Sequence, residues 1–408
     1  MFIIIADDLT GATDTGIQFQ KRGIATSVLV EPPSENIPYL NATAKQALSI
    51  NASSRELPPS DAKVRTQTVL NHITVHDSDI LFKKVDSLMR GNPVEELETM
   101  LQFTDRKIAL VAPSFPEMGR IVNDGFLHLP DGSVKDLVTL FKSHTQISVC
   151  YISLARLRTE WTNLANIFSQ KTTPQIYIFD TATEKDLSLV AKIGQALTHP
   201  PVYCGCAALA AALSSDAQML YPTYHPHAKK VLVVTGSRKL KTAQQIQYLK
   251  ETCNLHMVLM NSKSILHDPN SNEVLSATQQ LTELLQQEPG AILAFDSLFY
   301  DQTGFENDEI SVRQDGKRLA SKLGEVLYNL NPNLYDGLIL IGGDTSVEIC
   351  HSLGVTQIQL LEEIQTGIPS GLLADGPLCR LPIVTKSGAF GDKRTLLLMW
   401  KYIRNNIL

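Results

Sequence analysis

The chain has 408 residues, 43% hydrophobic and 19% charged, with a formal net charge of -6 at pH 7. This length predicts two or three domains able to bury a large core. The acidic balance and the lack of a basic block argue against a nucleic-acid partner, and no apolar run approaches the ~18 residues that a membrane span needs.

The first element is a short strand, FIIIA, which runs straight into two adjacent carboxylates, Asp7 and Asp8, with a third at Asp14. It has no charged leader region and meets an acid by position 7, so it reads as neither signal peptide nor membrane span. The following LTGATDTG starts a helix, with Thr10 able to cap it, Gly11 allowing a tight turn and Gly23 able to end it. Further strands are expected at ATSVLV, KQALSI, ILFKKV, KIALVAP, IYIFD and PVYCG, then at KKVLVVTG, MVLM, AILAFD, GLILIGG and RLPIVTKSG. Short, nearly continuous apolar strands separated by helical patterns indicate parallel sheets covered on both faces. The best break is LYPTYHPHAKK at 220–230, where Pro222 and Pro226 cannot sit inside a helix or a central strand. The expected fold class is therefore α/β. It has two domains, 1–222 and 228–408, each a mostly parallel sheet with helices on both faces and a ligand cleft between them.

Ligands of open α/β sheets bind outside the carboxyl ends of the strands, so the residues just past each strand are the candidates. Asp7 and Asp8 hold that position after FIIIA; each has the alternative role of a helix cap. After ILFKKV comes a loop with Lys83, Lys84, Asp86, Ser87, Arg90, Gly91 and Asn92, leading into the helix PVEELETMLQF with Pro93 in its first turn. Cations beside an acid and hydroxyls suit a small, anionic, polyhydroxylated ligand, since Arg forks onto carboxylates and Lys supplies a point charge. LSINASSRE adds Ser54 and Arg55, and VAPSFPEMGRIVNDG adds Ser114, Arg120 and Asn123.

In the second half, VLVVTGSRKL, GLILIGGDTS and IVTKSGAFG each end a strand in a glycine turn. Glycines admit phosphate oxygens close to the backbone, and helix N-termini offer N–H groups and partial positive charge. Three such turns at one sheet edge would cradle a nucleotide phosphate. Neither a Walker loop nor a clean GxGxxG is present.

Together these motifs resemble the four-carbon acid sugar kinase family, through ADDLTGATDTG, FKKVDSLMRGN, APSFPEMGR, TGS, GGDT and KSGAFG in that order. The resemblance spans nearly the whole chain. It implies a sugar-acid-binding domain at 1–222, an ATP-binding domain at 228–408, and ATP-dependent phosphorylation of the terminal hydroxyl of a C4 sugar acid: D-threonate first, with D-erythronate and 3-oxo-tetronate as alternatives; phosphoryl transfer adds Mg²⁺ as the expected partner of the triphosphate. Carried over by position, it implies substrate contacts at Asp8, Arg55, Lys84, Asp86 and Ser87, and ATP contacts at Ser237, Gly342, Gly343, Asp344, Thr345 and Gly388. Arg90 joins the substrate group from the loop reading. Asp8 or Asp86 would orient or deprotonate the attacking hydroxyl, Asp7 or Asp344 could instead sit near magnesium, and no metal ligand is assigned between them. Leu88 stands where the family often has Thr, and Arg238 and Lys239 follow the TGS turn where small residues are usual. The six cysteines lack CxxC spacing, so reduced thiols and a cytoplasmic setting are expected. The helix CAALAAALSS suits a core or a subunit interface, which leaves a homo-oligomer open. The rival classes are a nicotinamide-dependent enzyme, which would want the missing GxGxxG, and a non-catalytic small-anion-binding protein.

Overall fold

The computed structural model describes residues 1–37, 46–214, 225–300, 309–388 and 390–405. The chain divides into two compact units, Met1–Leu220 and Tyr221–Leu408. Part of the break expected at 220–230, including Pro222, lies outside the described residues.

The first unit contains the strands β1 (Phe2–Ala6), β2 (Ala25–Leu29), β3 (Gln46–Asn51), β4 (Ile80–Lys84), β5 (Ile108–Ala112), β6 (Ile121–Asn123), β7 (Phe126–His128), β8 (Val134–Asp136), β9 (Ser148–Ile152), β10 (Gln175–Phe179) and β11 (Val202–Gly205). Eight of them form a parallel sheet in the order β2-β3-β1-β4-β11-β5-β10-β9. Every residue of β1 and β5 is buried. That is why these strands read as unbroken apolar runs, with no polar alternation. The helices Leu9–Gln20, Ala207–Leu213, Glu184–Gln195 and Leu154–Ser169 touch one another in succession, as do Pro59–Asn71, Pro93–Thr104 and Leu137–His144. These two groups cover the two faces of the sheet. A separate antiparallel sheet, β6-β7-β8, was not anticipated because its strands have three residues each.

Register decides which loops meet. Ala6 lies opposite Asn51 of β3 and Lys84 of β4, and Gly205 opposite Lys84 and Ala112. The segments beginning at Asp7, Ala52, Val85, Cys206 and Pro113 therefore leave the sheet along one edge.

The second unit contains β12 (Val231–Thr235), β13 (His256–Met260), β14 (Gly290–Phe295), β15 (Gly337–Ile341), β16 (Gln357–Gln365), β17 (Ile368–Leu373) and β18 (Pro382–Lys386), in the order β13-β14-β12-β15-β18-β17-β16. The first five in that order run parallel; β17 joins antiparallel, and β16 and β17 form an antiparallel pair. Ile341 lies opposite Thr235 and Lys386, so all three glycine turns leave at one edge. Val233, Ile339 and Val384 belong to a buried cluster with Trp400 and Ile403. No helix among the described residues is long and apolar enough to cross a membrane.

Candidate functional site

At the edge of the first sheet, Arg55 holds both acids that follow β1. Its Nε and one Nη donate to the two Asp7 oxygens at 2.8 Å each, and the other Nη donates to Asp8 Oδ2. The same guanidinium lies 3.9 Å from Asp86. Burial pushes the Asp7 carboxyl up, but Arg55, Lys83 and Lys84 together hold it below its usual value. Asp8 is the N-cap of the helix Leu9–Gln20: its Oδ1 accepts from the Gly11 N–H at 2.7 Å. This corrects the assignment of the cap to Thr10, which lies inside the first turn. Asp8 also remains the most open acid of the group, its side chain 21% exposed against 4% for Asp7 and 9% for Asp86. Capping and ligand contact are thus not exclusive.

The loop after β4 is organised by Asp86. Arg90 donates to both of its oxygens at 2.8 Å, and the Leu88 N–H donates at 3.1 Å. Burial would raise the Asp86 carboxyl, yet the Arg90 hydrogen bonds and the charges of Arg55 and Lys84 hold it well below the usual carboxylate range. Lys84 is buried under the helix N-terminus and donates to the Val85 carbonyl at 2.8 Å. Burial pushes its amine down, but Cys206, Asp14, Asp7 and Asp8 push it up further, so it stays charged. Ser87 accepts a hydrogen bond from Arg120.

Not every strand-end residue joins this group. Lys83, expected in the loop, lies within β4, is fully buried and pairs with Glu96 of the helix Pro93–Thr104. Alternation along the strand turns adjacent side chains to opposite faces. Ser114 donates to the Thr181 carbonyl at 2.7 Å, and Asn123 donates to Asp124 at 2.9 Å; neither reaches the acids. Lys135 of β8, unremarked in the sequence, donates to the Met89 carbonyl at 2.6 Å. Only the pairing of β8 with β7 brings it there, so no local signal could have found it. Cys204 and Cys206 are buried free thiols, and burial pushes both up to about 12.

In the second unit the three glycine turns interlock. Gly342 has φ 109°, a backbone that side chains with a Cβ rarely adopt, and is the N-cap of the helix Gly343–Ser352. Its N–H donates to the Lys386 carbonyl at 2.8 Å. A Cβ at Gly236 would stand 2.6 Å from Thr345 Oγ1, so that hydroxyl packs directly on the TGS turn. Thr242 Oγ1 donates to the Gly388 carbonyl at 3.0 Å and lies 3.0 Å from the Ser237 hydroxyl. Ser237, Gly342, Thr345 and Gly388 therefore share one edge, with Gly343 and Asp344 in the first helical turn. Burial, reinforced by Lys241, lowers the Lys386 amine to about 7. The glycine-backed turns and the helix N-terminus suit phosphate oxygens. Among the described residues there is no cluster of three His, Cys, Asp or Glu able to hold a metal ion. Mg²⁺ is commonly held by phosphates, water and one or two carboxylates, and Asp344 is the carboxylate of this turn.

Residues 2–213 match the model of a sugar-binding N-terminal domain, and residues 232–396 that of a nucleotide-binding C-terminal domain. The chain is 28% identical to a D-threonate kinase of Salmonella typhimurium (strain LT2), over 97% of this chain and 96% of that relative. It is 26% identical to a D-erythronate kinase of Heliobacterium modesticaldum, over 96% and 94%. A crystal structure from Haemophilus influenzae superposes with a TM-score of 0.70 at 19% identity, covering 98% of this chain and 100% of that one, which shows a shared fold.

Proposed function

The chain belongs to the four-carbon acid sugar kinase family and is a sugar-acid kinase; from that premise we propose that it transfers the γ-phosphoryl group of ATP to the C4 hydroxyl of D-threonate. The observation that carries the reading is the first-unit edge, where Asp8, Arg55, Lys84, Asp86, Ser87 and Arg90 converge from three adjacent strands. Carboxylates there receive sugar hydroxyls, and the surrounding cations favour an anionic substrate. D-threonate is preferred to D-erythronate and 3-oxo-tetronate on the similarity to the Salmonella enzyme.

Phosphoryl transfer asks mainly for positioning and charge neutralisation. In this reading Ser237, Gly342, Gly343, Asp344, Thr345 and Gly388 hold the phosphates of ATP. Asp344 is the carboxylate of this turn that would help to hold Mg²⁺, which would supply neutralising charge. Asp8 is the group that receives the proton of the attacking hydroxyl. Asp86 is held so far toward its ionised form that it is a weak base, and with Ser87 it orients the sugar.

The test is an ADP-release assay with D-threonate, D-erythronate and 3-oxo-tetronate, run on the wild type and on Asp8→Asn. Asn still caps a helix but leaves the Arg55 guanidinium facing an amide NH₂ in place of Asp8 Oδ2, so the variant should melt below the wild type and is assayed where its thermal midpoint shows it folded. Its kcat should fall about 10²–10⁴-fold, the usual share of a general base. Near-normal turnover would remove Asp8 from the chemistry. Faster turnover of another acid would replace D-threonate, and no ADP release with any of the three would overturn the reading.

A further inference from the structure

Most cations at the edge of the first sheet are already matched. Arg55 is held by Asp7 and Asp8, Arg90 by Asp86, and Lys83 by Glu96. Lys84 lies beneath the helix N-terminus, bonded to a carbonyl. Two cations differ. Arg120 and Lys135 both face the 85–92 loop, and neither lies within ion-pair distance of a carboxylate among the described residues.

Arg120 is also held firmly in place. It follows the one-turn 3-10 helix Pro116–Met118, and its backbone exchanges two hydrogen bonds with Phe115, at 2.7 and 3.1 Å. Two residues on, Val122 exchanges two more with Thr181, at 3.0 and 2.9 Å. Among the described residues its guanidinium donates one bond, to the Ser87 hydroxyl, and its buried Nε has no acceptor. An Arg on a fixed backbone, with a buried donor unanswered among the described residues, beside a serine and a second cation, lacks the planar oxyanion that its fork fits.

We infer that Arg120 recognises the carboxylate of the sugar acid and, supported by Lys135, sets the preference for acids over neutral C4 polyols. This rests on the sugar-acid kinase reading, and it adds a specificity residue outside the group described above. Arg55 and Arg90 then act chiefly to fix Asp7, Asp8 and Asp86. The small antiparallel sheet acquires a role, since β8 brings in Lys135 while β6 begins directly after Arg120.

The test compares the wild-type chain with Arg120→Gln and Arg120→Lys. The quantities are KM for the best C4 acid, KM for ATP, the inhibition constant of neutral threitol against that acid, and the thermal midpoint. Arg120→Gln should raise the acid KM about 10–100-fold, the range of a charged hydrogen bond. KM for ATP and the threitol constant should stay within about twofold, and Arg120→Lys should recover part of the loss. An unchanged acid KM in an active, folded Arg120→Gln enzyme overturns the inference and leaves the kinase reading intact. Equal weakening of acid and threitol, or a rise in KM for ATP alone, overturns it too, by assigning Arg120 to hydroxyls or to phosphate. If Arg120→Gln does not fold, Arg120→Lys decides, with the same expected selectivity for the acid. A wild type inactive on every C4 acid overturns the underlying reading itself.

Discussion

Asp86 shows how a single carboxylate is made to serve position over reactivity. Its two oxygens face the Arg90 fork, with Arg55 nearby, and its carboxyl is held below the ordinary 3.8 in spite of burial. A carboxyl with a depressed folded-state pKa stabilises the fold at pH values above its unfolded value, and that contribution is lost as pH falls toward the folded value. Asp86→Asn should therefore be less stable than the wild type at pH 7, with the gap closing as pH drops below about 4. Urea midpoints from pH 7 to pH 3 would check this. A gap that stays constant or widens on acidification would mean that the Arg90 pair does not govern the Asp86 charge. Asp8 makes the complementary point. Sequence alone left it either a cap or a functional acid, and the geometry lets it be both, because one oxygen caps the helix while the side chain stays partly open.

Among elements, the strand–turn–helix units of the second sheet carry the clearest link from local sequence to site. GLILIGGDTS required a buried strand, a tight turn and a helix start, and β15, Gly342 at φ 109° and the helix Gly343–Ser352 supply them. Gly342→Val would force a β-branched residue into that conformation, at a cost of about 1–3 kcal/mol, and would displace the first helical turn. Initial-rate kinetics should show KM for ATP raised severalfold with KM for the sugar acid unchanged. An unchanged KM for ATP would count against a phosphate cradle at this turn. Elements without such local logic escaped notice. β16 has the sequence QIQLLEEIQ, whose adjacent glutamates and leucines suit a helix as well as a strand, and β17 contains Pro369 and Gly371. Their antiparallel pairing settles both as strands. β9 is an edge strand with one buried residue in five, so it lacks the apolar run that marked its neighbours.

On the scale of the whole molecule, each unit has its own buried core, one built around Ile3, Ile5, Leu110 and Ile178, the other around Val233, Ile339 and Val384. Each also has its own set of strand-end loops, which makes the proposed division of labour testable without turnover. In hydrogen exchange, a non-hydrolysable ATP analogue should slow amides near 236–238, 342–346 and 386–388. D-threonate should slow those near 7–11, 54–55 and 85–90. An ATP analogue that protects only the second group would reverse the assignment of the two units.

The fold class, the strands with continuous apolar runs and the small-residue turns that follow them were legible from the residues alone, since these depend on burial and backbone freedom over short stretches of chain. The sequence also placed Asp8, Arg55, Lys84, Asp86 and the glycine turns at strand ends. Which of these meet depends on strand order and packing. Arg55 reaches back 47 and 48 residues to Asp8 and Asp7 because β3 lies beside β1. Lys83 turns away to Glu96 while Lys84 stays. Lys135 enters through a three-stranded sheet that no local pattern announced. The physical reason is that ion pairing and hydrogen bonding act over a few ångströms of space, and strand order brings distant residues within that range.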